Sequence, residues 1–165
     1  MLDILIPWLV YEQSLTQKLK IAAGDARMEV LDQRWDVPDV WDKNVLNIEN
    51  TNVMHREILM WAWDTPCWYA RTIIPDTTWQ DNITLFDRLK SEQLGQLIFN
   101  GTDIKRVSLT HYSILPSSIE YKWLHESMHQ GAPTLWVRLS EFKVHDRDAF
   151  FLVEILLPGL LRRIA

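Results

Sequence analysis

Residues 53–75 read VMHREILMWAWDTPCWYARTIIP, two apolar runs joined by a short polar break. Val, Ile, Thr, Trp and Tyr fit a pleated, half-buried surface, and Asp64, Thr65 and Pro66 are turn formers, so the stretch predicts a β-hairpin. Side chains alternate along a strand, which puts Met54, Arg56, Ile58, Met60 and Ala62 on one face. Arg56 is the one charge on that face.

Working outward, Met28 to Val37 reads as a strand that Pro38 ends. Upstream of it, Leu5, Trp8, Leu9, Leu15 and Leu19 recur near helical spacing, predicting one helix from Ile4 to Ala23 with Gly24 as its stop. Downstream, residues 76–100 carry Trp79, Ile83, Phe86, Leu89, Leu94, Leu97 and Ile98 behind a cap at Asp76 or Thr77. That pattern is one helix, or two broken near Ser91. Beyond Gly101 the pattern returns to strands: IKRVSLTHYSIL, SIEYKWLHES, TLWVRLSEFKV and AFFLVEILLP, with HDRD turning the last pair. Strand runs with short reversals and interspersed helices predict an α+β fold on an antiparallel sheet. No repeat, linker or low-complexity tract divides the chain, so residues 1–165 are expected to form a single domain.

The composition narrows the function classes. A net charge of −5 and a pI near 5.5 give no electrostatic footprint for nucleic acid. An anionic ligand would therefore need locally placed Arg or Lys. The single Cys67 excludes an intramolecular disulfide and fits a reducing, cytoplasmic setting. The N-terminal MLDILIPWLVYEQ lacks a basic start and meets Asp3, Pro7 and Glu12 too soon for a signal peptide or membrane span. Nine Trp are unusual, but they follow no regular spacing and read as bulk rather than as a sugar platform.

Two charges break otherwise apolar strands. Arg56 is one; Glu154, in AFFLVEILLP beside Leu152 and Leu156, is the other. A lone buried charge costs several kcal/mol, so each needs a partner. One reading has Arg56 and Glu154 bridging each other structurally. The other has both lining a closed cavity, the Arg receiving a carboxylate and the Glu facing a hydroxyl or proton.

A different motif sits in WLHESMHQG, residues 123–131, where His125, Glu126 and His129 spell H-E-x-x-H. On a helix this spacing lets two imidazoles hold zinc while the Glu activates water. Here Gly131 and Pro133 end any helix within a turn, and no third ligand stands in the expected place. Zinc hydrolysis remains a remote alternative, and a polar hairpin end is the expected role.

Four blocks carry a family resemblance: WLVYEQSLTQKL, REILMWAWDTPCWYARTIIP, LGQLIFN and FLVEILLP. In that order, and spanning nearly the whole chain, they resemble chorismate lyase (chorismate–pyruvate lyase). The resemblance implies a six-stranded antiparallel sheet whose helical flaps enclose a ligand cavity. It implies cleavage of chorismate to 4-hydroxybenzoate and pyruvate, the entry step of ubiquinone biosynthesis, by a monomer using no metal or organic cofactor. Residue by residue, the family's ring-carboxylate Arg matches Arg56 and the carboxylate near the substrate hydroxyl matches Glu154. A first-helix contact matches Leu15, the Leu of the L-G pair matches Leu94, and a second Arg near the ligand's exit path matches Arg71. Departures are Leu for the usual Met at 15, Ala70 for Gly, no leader before the first helix, and about one extra hairpin between Thr102 and Asp148. Effector-sensing domains of some bacterial regulators share this architecture, so a non-catalytic binding module is the alternative; retention of both Arg56 and Glu154 favours the enzyme.

Overall fold

The computed structural model describes residues 2–90, 92–99 and 103–165. Six antiparallel strands form one sheet: β1 (Arg27–Asp36), β2 (Val53–Ala62), β3 (Thr65–Pro75), β4 (Ile104–Ile114), β5 (Leu135–Val144) and β6 (Asp148–Leu156), in the spatial order β1-β2-β3-β6-β5-β4. The central strands β2, β3 and β6 are buried almost end to end, whereas edge strand β1 is mostly exposed. Asp32, Arg34 and Asp36 decorate that edge and discourage a further strand from pairing. The β2–β3 turn is tighter than its sequence suggests. Trp63 and Asp64 both take positive φ (53° and 55°) and Ala62 pairs with Thr65, giving a two-residue loop of the mirror-image type that matches strand twist.

Helices cover both faces. On one lie α1 (Leu2–Leu9), α2 (Leu15–Ala23) and the C-terminal α9 (Pro158–Ile164), packed on Ile58, Met60, Trp68 and Leu156. Beside them α4 (Asp76–Asp81), α5 (Ile83–Asp87), the 3-10 turn Arg88–Lys90 and α6 (Leu94–Phe99) pack on Met54, Ile74, Phe142 and Phe150. The opposite face is closed by α3 (Val40–Leu46) and two short helices, α7 (Ile119–Lys122) and α8 (Glu126–His129).

Four expectations need correction. The segment expected as one helix from Ile4 to Ala23 is two: Ser14 caps α2 by accepting from the Gln17 N–H at 3.2 Å, and the Trp8 and Tyr11 carbonyls turn to a side chain of β5. The predicted strand SIEYKWLHES is helical. Tyr121, Leu124 and Met128 recur at helical spacing and pack together on the core, which alternation would not allow. The added length after β4 is therefore these two helical turns rather than an extra hairpin. Finally, Asp76 lies inside α4 rather than capping it. The break considered near Ser91 lies outside the described residues.

Candidate active site

Strand parity builds the site. Arg56 and Ile58 on β2, Trp68, Ala70 and Thr72 on β3, Leu152 and Glu154 on β6, and Arg138 and Phe142 on β5 all point to the face covered by α1, α2 and α6. Between the two apolar clusters on that face they line a cavity that Leu15 and Leu94 roof from the first residues of α2 and α6. Its free volume of about 70 Å³ equals roughly five water sites. One small molecule suits it; a polymer does not.

Arg56 is 3% exposed and meets no carboxylate among the described residues. Its Nη2 reaches only the Met28 sulfur at 3.9 Å, and its Nε has no acceptor. Burial pulls this guanidinium below its ordinary value, a cost that no acidic partner among the described residues offsets. Glu154, 6% exposed, bonds elsewhere: Arg138 Nε donates to its Oε1 at 3.0 Å. The structural bridge between Arg56 and Glu154 is thus not formed. Arg138 is fully buried, and its other nitrogens donate to the Trp8 carbonyl and to the Tyr11 carbonyl at 3.0 Å. One side chain ties Glu154 to the strap between α1 and α2.

Registration sets the spacing. Arg56 stands opposite Thr72, and Glu154 opposite Ala70 and Arg138. Two strand spacings across and two residues along put the Arg56 and Glu154 backbones about 12 Å apart. Both side chains line the cavity, from strands two apart in the sheet. The lining charges are Arg56, Arg106, Arg138 and Glu154, so three positive against one negative leave a local charge of +2 in a chain of −5. The local arginines that an anionic ligand requires are present.

Arg71 is elsewhere. It is odd-numbered on β3 and faces the other side of the sheet, 3.1 Å from Glu57 Oε1 and 3.9 Å above the Trp123 ring. Glu57 also accepts from the Tyr69 hydroxyl and from Arg34 at 2.7 Å. These contacts make a polar seam between the sheet and α3, to which His55 adds a 2.8 Å bond with the buried Asp42. Asp39, Asp42 and His55 are the one grouping with metal-ligand spacing among the described residues. Asp39 and Asp42 already cap α3 reciprocally, and Arg71 lies 3.4 Å from Asp39. Cations have little to gain there.

H-E-x-x-H does not assemble as a zinc ligand pair. His125 is the extended residue before α8, its Nδ1 accepting from the Ser127 N–H at 3.4 Å. His129 Nδ1 accepts from the Gly131 N–H at 2.9 Å, and its ring packs on Tyr121. With His125 outside the helix, the shared imidazole face is lost.

Sequence reasoning passed over Arg138 and Arg106. The signal for Arg138 lies in parity: in WVRLSEF, Trp136, Arg138, Ser140 and Phe142 share a face, and counting through the last hairpin brings Arg138 level with Glu154.

Comparison with known proteins places this architecture. The chorismate lyase family profile matches residues 2–164. Probable chorismate pyruvate-lyases of Aromatoleum aromaticum and Nitrosomonas eutropha are 29% and 24% identical, over 94% and 93% of this chain and 85% and 86% of theirs. Among solved structures, the effector domain of PhnF from Mycobacterium smegmatis superposes with a TM-score of 0.59 at 15% identity, covering 91% of each chain. A GntR-family transcriptional regulator from Bacillus cereus gives 0.57 at 14% identity, covering 81% of this chain and 92% of its own. Those two likenesses concern fold alone. With the profile spanning nearly every residue and the cavity built as described, the chain belongs to the chorismate lyase family.

Proposed function

We propose that this protein is a chorismate lyase, removing pyruvate from chorismate to leave 4-hydroxybenzoate, with Arg56 and Glu154 as its catalytic residues. The carrying observation is the unpaired, buried Arg56 facing a Glu154 whose counter-charge comes from Arg138. A planar guanidinium takes a carboxylate through two parallel bonds and fixes the ring plane. Glu154 Oε1 is held by Arg138, which leaves Oε2 to accept from the ring 4-hydroxyl across the cavity. Leu15 and Leu94 close over the ring from the two helices, and apolar Ile58, Trp68 and Phe142 keep water from it.

The reaction breaks the C3–O and C4–H bonds of chorismate, and the departing enolpyruvate gains a proton at its methylene carbon to become pyruvate. The ring becomes aromatic, so the step runs downhill and needs little covalent help. Holding the ring at both ends, in the conformer that aligns C4–H with the departing group, is the protein's contribution. Excluding water strengthens both polar contacts and prevents side reactions.

Calorimetric titration with 4-hydroxybenzoate, benzoate and phenol tests the site. Benzoate should bind about tenfold more weakly than 4-hydroxybenzoate through loss of the Glu154 contact, and phenol more weakly still through loss of the Arg56 pair. Equal affinity for 4-hydroxybenzoate and phenol would remove Arg56 from the reading.

A further inference from the structure

We infer that Arg106 is a second carboxylate-binding residue of this cavity, so that the site is built for an aromatic-sized dicarboxylate. The inference rests on the chorismate lyase reading and assigns the ligand's second acid group.

Arg106 stands on β4, separated from the strand of Arg56 by three others in the sheet order. A register shift between Arg106 and Ser108 interrupts the β4–β5 ladder at this point, and such bulges re-aim side chains. The guanidinium lies 5.0 Å from the Phe142 ring centroid, one of the cavity walls. Its Nη1 donates to the Glu12 carbonyl in the strap between α1 and α2. Its Nε is buried and has no acceptor among the described residues. Burial lowers its pKa and Glu154 partly restores it, which marks Arg106 as sharing the space of the Glu154–Arg138 pair.

The cavity therefore holds two guanidinium groups with an unsatisfied Nε, Arg56 and Arg106, while Arg138 is committed to Glu154 and two carbonyls. Four strand spacings separate the β2 and β4 backbones by about 19 Å on a flat sheet, too far for one carboxylate to serve both residues. Two acid groups on one small frame can. Chorismate carries a ring carboxylate and an enolpyruvyl carboxylate on the C3 oxygen. With the first on Arg56 and the 4-hydroxyl on Glu154, the second extends toward Arg106. That end is bounded by the Glu12 strap, which places the enolpyruvyl group beside it.

Two stable probes isolate the second acid group: 3-(carboxymethoxy)benzoate, with a carboxylate on a meta ether, and 3-methoxybenzoate, without it. Calorimetry on the full chain should show R106Q weakening the dicarboxylate about ten- to hundredfold and the monocarboxylate less than twofold. R106K, which keeps the charge but loses the fork, should fall between. R56Q should weaken both probes. Equal weakening of both probes in R106Q, or of neither, would overturn the assignment to Arg106 while leaving the lyase reading intact. If the unmodified protein bound neither probe nor 4-hydroxybenzoate, the lyase reading itself would fall, and the inference with it.

Discussion

Replacing Arg138 with Met keeps the stem's volume and removes every charged bond it makes. Glu154 loses the 3.0 Å bond that neutralises it, and the Trp8 and Tyr11 carbonyls lose their donors. Stripping one partner from a buried pair costs about 3–5 kcal/mol, because the remaining charge stays desolvated. The two carbonyls add about 1 kcal/mol each where water cannot reach them, and relief of Arg138's own desolvation offsets a similar amount. The net expectation for R138M is a loss of about 3–5 kcal/mol, equivalent in a domain of this size to a Tm about 6–20 °C lower. Urea denaturation, with the m-value checked for constancy, measures it. Amide exchange should report lost protection in the strap before any global unfolding. Adding Glu154→Leu to R138M should recover part of the loss by deleting the stranded charge. A loss below about 1 kcal/mol, or a Glu154→Leu penalty that simply adds to the first, would refute the coupling of strap, Arg138 and Glu154.

Other consequences are equally specific. Glu57 is held below the ordinary carboxylate range: burial pushes it up, but bonds from Tyr69 and Arg34 and the Arg71 charge more than compensate. The stabilisation is complete above about pH 4.3 and fades as pH falls through the lower folded-state value. Urea midpoints of wild type and E57Q should differ at pH 7 and converge in acid; a constant gap would contradict this. A Cβ on Gly159 would sit 2.5 Å from the Pro66 carbonyl oxygen and 2.8 Å from Thr65 Oγ1. G159A should therefore lose about 1–3 kcal/mol despite alanine's better helix propensity, and a gain on thermal melting would show the loop to be freer than this. Cys67 has no exposed surface and its thiol is pushed up to about 11 by burial. Its alkylation at pH 8 should be far slower in the native state than in urea, and equal rates would contradict its placement under α9.

The hairpin that anchors the sheet and the two charges inside its apolar strands were legible because burial on both sides leaves near-continuous hydrophobic runs against which a charge stands out. Arg138 was not, because β5 mixes Arg, Ser, Glu and Lys and resembles a solvated strand until it is aligned with β6. Without Arg138, pairing Arg56 with Glu154 was the natural economy of charge. Arg71 follows the same logic in reverse. Matched by motif to the ligand's exit path, it sits one residue from the cavity-facing Ala70 and Thr72, and a shift of one turns a side chain to the other face. The helical turns of 119–129 were hidden because Tyr, Trp and Ile favour strands, and the packing of Tyr121, Leu124 and Met128 overrides that preference. The break after Leu9 combines a local signal, the Ser14 cap, with long-range bonds from Arg138 to the Trp8 and Tyr11 carbonyls that local sequence does not announce.

The most direct test is turnover of chorismate by the purified protein, with and without a chelator, following 4-hydroxybenzoate and pyruvate together. Equimolar formation of both is expected, indifferent to chelator and abolished in R56M and E154Q variants that still fold. Binding of chorismate without turnover would turn the cavity into an effector site and contradict the assignment of Glu154 as a catalytic residue; turnover that vanished with chelator would contradict a mechanism built on Arg56 and Glu154 alone.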